Sequence, residues 1–167
     1  MARSSTVKLD MAGFELLKKQ LEDGKGLTVK VGILPNTAAR SNPSKGPDLN
    51  NAEVGLKQEF GSASEGVPVR SFLRMPLNTQ LPKKMQQIGQ AAWVGLIKED
   101  GVEFALEELG KLAVGVVQQG FDTRGFGQWA PNAPYTIRKK GSSMPLIDTR
   151  QLRRSITSEV AKAGANP

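Results

Sequence analysis

The 167 residues predict an α+β fold: a small antiparallel sheet packed against a long antiparallel helix pair, with extended loops or an arm. Three observations carry that expectation. Leu27, Val29, Val31 and Ile33 alternate with Thr28, Lys30 and Gly32, the two-residue period of a half-buried strand. From Pro76 to Val117 apolar residues recur at three- and four-residue steps, interrupted at Gly101. Residues 36–50 and 123–147 have no hydrophobic period and are rich in proline and polar residues, so they read as an exposed loop or arm and a long contact loop. The length suits one domain, spanning residues 1–167.

In chain order, residues 10–22 read as an amphipathic helix, capped by Asp10, with Phe14, Leu17 and Leu21 on one face. Gly24 and Gly26 stop it, the strand 27–33 follows, and Pro35 ends that run. Residues 51–60 satisfy both strand and helix periods; a short helix capped by Asn51 and closed by Gly61 is the expectation. Leu77, Leu81, Met85, Ile88, Ala92 and Leu96 mark the first long helix, which Pro82 kinks or begins. Val102 to Val117 mark the second, and the two are expected to pack antiparallel and supply most of the core. Asp148 is expected to cap a short basic helix, Thr149 to Ser155, anchored by Leu152, before a final strand at 156–160 that pairs with 27–34.

The chain has no cysteine and no histidine, which excludes Ser-His-Asp and Cys-His nucleophilic chemistry and zinc sites of the usual kind. No apolar run approaches the roughly 18 residues that span a bilayer, and MARSSTVKLDMAG lacks a signal-peptide apolar region. A soluble chain made in the cytosol is expected. Glu103 and Glu107, one helical turn apart, are the best acidic pair for a divalent ion, but a solvated helix face is the better reading. Gly125-Phe126-Gly127 is no phosphate loop, because neither glycine-rich nucleotide motif is present. No catalytic residue, metal ligand or cofactor is therefore assigned.

The net charge is +7, and it is concentrated. From Thr123 onward there are eight basic residues and two acidic ones, against 15 and 14 before it. Arg138, Lys139, Lys140, Arg150, Arg153 and Arg154 lie near Trp129 and Tyr135, the ingredients of phosphate contact and base stacking. No nucleic-acid motif spacing accompanies them.

Two motifs resemble those of the neck, or head-tail joining, proteins of tailed bacteriophages, a virion-morphogenesis family also called tail-completion proteins. Glu59-Phe60-Gly61, then Val67-Pro68-Val69-Arg70-Ser71-Phe72-Leu73-Arg74, is similar to E-F-G followed by I-P-x-R-P-F-L. Trp129-Ala130-Pro131, Tyr135-Thr136, Lys140 and Leu146-Ile147-Asp148-Thr149-Arg150-Gln151-Leu152-Arg153-Arg154-Ser155-Ile156 are similar to W-x-P, T, K and L-x-D-T-G-x-L-x-x-S-I. The resemblance covers about residues 27–160. Ser71 stands where the family usually has proline, and Arg150 where it usually has glycine, so the turn at 149–150 is expected to be a plain helix start.

The resemblance implies a non-enzymatic α+β subunit of a homo-oligomeric ring in the virion neck or collar, assembled in the host bacterial cytoplasm. Its partners would be its own copies, connector- or portal-side and tail-side phage proteins and, non-specifically, packaged DNA; no membrane is implied. Phe60, Arg70, Phe72, Arg74, Phe126, Trp129, Tyr135, Arg138, Lys140, Asp148, Arg150, Arg153 and Arg154 are the expected interface residues, being mostly the types that dominate contact energetics when desolvated. A tail-terminator ring capping the tail tube is the alternative within virion assembly. A basic nucleic-acid-binding module is the alternative from another class, and a metal-dependent hydrolase or nuclease comes last.

Overall fold

A computed structural model of the chain describes residues 11–40 and 49–164. Asp10 and residues 41–48 of the expected arm lie outside the described residues. The architecture is α+β: seven helices, among the described residues, and a two-stranded antiparallel sheet.

Helix α1, Met11–Asp23, ends where Gly24 and Lys25 donate back to the carbonyls of Gln20 and Glu22. Strands β1, Leu27–Ile33, and β2, Ile156–Lys162, pair in the register Leu27↔Lys162 to Ile33↔Ile156, as the alternation predicts. Helix α2, Asn51–Phe60, carries a capping box on Asn50 rather than on the expected Asn51. The Asn50 side chain accepts from the Glu53 amide at 2.9 Å, and Glu53 Oε2 accepts from the Asn50 amide at 2.8 Å. Asn51 is buried instead, its amide donating to the Ala39 carbonyl at 2.9 Å and tying the entry of the helix to the preceding loop.

The first long helix of the sequence reading is three pieces. Helices α3, Arg74–Thr79, and α4, Leu81–Ile88, meet at Gln80, with Pro82 inside the first turn of α4, and Gly89 at φ 84° separates them from α5, Gln90–Asp122. Gly101, at φ 92° and ψ 168°, is non-helical and divides α5 into two limbs. Ile88, Trp93 and Leu96 line the same cleft as Phe104, Lys111 and Leu112. A straight helix would put positions 88 and 112 about 36 Å apart, so the chain doubles back at Gly101 and its limbs lie antiparallel.

Most of the core does not come from that pair. It comes from the second limb of α5, where Ala105, Ala113, Val116, Val117 and Phe121 are buried, together with Phe72, Trp129, Leu152 and Ile156. The reason is steric. Gly110 brings α5 so close to the sheet that a Cβ there would sit 2.6 Å from Ser158 Oγ and 3.1 Å from Val29 Cγ2. The sheet thus occupies the side of the second limb that the first limb was expected to cover.

Past Asp122 the chain is more ordered than its composition suggests. Helix α6, Pro134–Lys140, sits inside the segment read as a loop; it buries no residue, so no apolar period announces it. Its signals are Pro134 at the first turn and Gly141 at φ 67° just beyond the end. Helix α7 is only Gln151–Arg154, and Asp148 does not cap it. Arg150 holds the cap position at φ 62° and ψ 7°, a left-handed residue, so the plain helix start expected there is overturned. A left-handed arginine carries a strain of about 1–2 kcal/mol.

Candidate functional site

The residues of both motifs converge on a buried junction joining the end of α2, the start of α3, the end of α5 and the chain after it. Glu59 is its electrostatic centre. The carboxylate accepts from Ser71 Oγ at 2.6 Å, the Leu73 amide at 3.0 Å, and the Arg74 amide and Nε at 3.2 and 3.0 Å. Burial alone would raise its pKa, but these donors together outweigh burial and hold the carboxyl below its ordinary value. Ser71 ties Glu59 to the first turn of α3: its hydroxyl donates to Glu59 and accepts from the Met75 amide at 3.0 Å.

Trp129 and Phe72 belong to this core and not to an open contact surface. Trp129 is 8 % exposed, meets Phe121 edge-on at 5.6 Å between ring centroids, and donates Nε1–H to the Ser71 carbonyl at 3.3 Å. Phe72 is packed on Phe121 at 5.5 Å. The return from α5 to Trp129 requires four successive residues with positive φ, Arg124 to Gly127. A Cβ on Gly125 would overlap the indole ring, which fixes glycine there. Arg70 is likewise structural, at 7 % exposure: Nε donates to the Ala130 carbonyl at 2.9 Å, and Nη2 to the Pro131 carbonyl at 3.0 Å and Asn132 Oδ1 at 3.3 Å. Residue type had placed all three on an interface; a large aromatic or a hydrogen-bonded arginine serves a core equally well.

The other expected interface residues are dispersed. Phe60 is exposed beneath the Arg74 guanidinium, 4.3 Å from its centroid, so those two screen each other. Phe126 is half-buried against Gly120. Tyr135 and Arg138 project from α6, Tyr135 at 67 % exposure. Arg153 pairs with Asp122 at 2.7 Å, while Arg154 is exposed. Lys140, Asp148, Arg150 and Arg70 come together around one small cleft. Glu103 and Glu107 are exposed on α5, and no metal-holding cluster occurs among the described residues.

Open apolar surface lies elsewhere, partly on the apolar face that the period marks on α1 and partly beside the break at Gly101. Phe14 is 56 % exposed and, with Leu17 and Leu21, lines a shallow groove along α1. Between α4 and the two limbs of α5 lies a cleft of about 600 Å³, walled by Ile88, Trp93, Leu96, Phe104 and Leu112. Phe104 is 39 % exposed, and Trp93 Nε1 is buried with no acceptor among the described residues. One signal was available in composition: Gly110 lets α5 approach the sheet closely, while the large Phe104 lines the cleft instead.

Among the described residues no helix is long and apolar enough to cross a membrane. Neither a family model, nor a curated protein, nor a solved structure matches the chain.

Proposed function

We propose that this chain is a structural virion subunit forming part of a homo-oligomeric ring at the head–tail interface of a tailed bacteriophage, where it joins the DNA-filled head to the tail. The observation that carries assembly is the pair of open apolar surfaces, the α1 groove and the cleft beside Gly101. Soluble monomers seldom expose contiguous apolar surface of this kind unless something covers it. A cyclic ring needs two different surfaces per subunit, one meeting its neighbour's other. The α1 face of one copy seated in the helical cleft of the next meets that requirement, and an acceptor from the neighbour would satisfy Trp93 Nε1. The head–tail location rests on the order and content of the two motifs, Glu59 to Arg74 and Trp129 to Ile156.

Phage lacking the chain are expected to accumulate DNA-filled heads and unattached tails, scored by electron microscopy of lysates. Joined, infectious particles from that mutant would rule the reading out. Accumulation of heads with overlong tails would instead move the ring to the tail terminus.

A further inference from the structure

Between α2, α6 and the approach to α7 lies a cleft of about 210 Å³. Arg40, Arg70, Lys140 and Arg150 line it, against the single carboxylate of Asp148. Among the described residues none of the four cations pairs with a carboxylate. Arg70 has given Nε and Nη2 to neutral acceptors, and its Nη1 donates to nothing among the described residues. Burial lowers the guanidinium pKa of Arg70. Burial also pulls the Lys140 ammonium below its ordinary value, Asp148 opposing the fall and Arg70 adding to it. A buried cation without a counter-ion is costly, and an anion in the cleft removes that cost.

Two further features point the same way. Gln58 Oε1 is buried at the cleft with no partner among the described residues. The ends of a glutamine amide have the same shape, and the rotated amide turns an N–H donor toward an anion. Leu146 and Arg150, both on the wall, are held at φ 59° and 62°. Strain of that kind is retained where a site needs the side chain in place.

We propose that this cleft binds a carboxylate on a short aliphatic stem, the side chain of a glutamate or aspartate presented by another protein chain. Arg70 Nη1 takes one oxygen, Lys140 and Arg150 balance the charge at the mouth, and Val54, Leu146 and Leu152 cover the methylenes. The apolar walls favour a carboxylate over a nucleic-acid phosphate. A backbone phosphate is flanked by sugars and cannot approach an arginine that is 7 % exposed at the base of so small a cleft. The cleft keeps this chemistry whether or not the chain builds a ring.

The test is a titration of the ¹⁵N-labelled full chain with N-acetyl-glutamate N-methylamide, its glutamine counterpart, and inorganic phosphate. Saturable shifts of the Arg70 side chain and of amides 146–152 are expected with the glutamate probe, about tenfold weaker with glutamine. Lys140→Gln and Arg150→Gln, which leave the junction intact, should each weaken the glutamate probe about three- to tenfold. Absence of a saturable shift, equal response to glutamine, or affinity unchanged in both variants overturns the site. Phosphate binding tighter than the glutamate probe overturns the carboxylate assignment.

Discussion

The buried junction and the helical end around Gly101 are built from similar residues and arranged in opposite ways. At the junction, Trp129, Phe72 and Phe121 pack against one another, and Trp129 Nε1 reaches the Ser71 carbonyl. At the helical end, Trp93 and Phe104 line an open cleft, and Trp93 Nε1 reaches no acceptor among the described residues. The two differ in what surrounds the aromatic groups rather than in the groups themselves. Chain segments from four elements close over the junction, whereas a single turn at Gly101 brings two limbs side by side around a cleft that stays open. Residue type alone cannot tell a core anchor from a contact anchor; the supply of backbone around it can.

Five substitutions break or sharpen that contrast. Trp129→Ala removes the centre of the junction and should cost about 3–5 kcal/mol, read as a lower midpoint in urea unfolding of the isolated chain. A small loss there, with assembly abolished, would return Trp129 to the interface. Glu59→Gln leaves the amides of Leu73 and Arg74 less well satisfied and should cost about 2–3 kcal/mol at neutral pH. Its pH dependence carries a sign. The folded carboxyl titrates below its ordinary value, so its stabilisation is present above the unfolded pKa and lost as pH falls through the folded one. Glu59→Gln should therefore flatten the acid limb of a stability–pH curve; an unchanged limb means other carboxylates dominate it.

Arg150→Gly relieves a left-handed residue and should change stability by about 1 kcal/mol or less in the stabilising direction, measured by thermal unfolding. It should also weaken the cleft's hold on a carboxylate, so stability and binding move oppositely. Phe14→Asp and Phe104→Asp should be smallest in the monomer, within about 0.5 kcal/mol, yet prevent self-association followed by sedimentation velocity. Loss of folding in either would place that phenylalanine in the core.

Legibility in the sequence followed the same divide. Regular elements announced themselves: the alternation at 27–33, the amphipathic α1, the break at Gly101 and the final strand were all readable from period and glycine placement. The site was less so. Asn50 and Asn51 are chemically identical, and only the reach of Glu53 selects the first as the cap. Helix α6 carries no buried residue, so period could not reveal it. Arg150 adopts a conformation its type disfavours, which no propensity would propose. Lys140 and Arg150 were singled out for charge, Asp148 as a helix cap and Arg70 within a motif, but their shared cleft depends on bringing together segments about 80 residues apart.

The register of the sheet bears on how this chain comes to be folded at all. Ile33 pairs with Ile156, and Leu27 with Lys162, so every rung joins residues more than 120 positions apart. Closing so long a loop costs entropy before any rung is gained, and non-local pairing of this kind slows folding. Helices, whose bonds are local, form without waiting. On a ribosome, β1 is made early and remains an unpaired edge until almost all of the described chain has emerged, and an unpaired edge is open to wrong partners. Gly32, Lys30 and Thr28, interleaved with its apolar residues, make that waiting strand a poorer template for another copy than an unbroken apolar run would be.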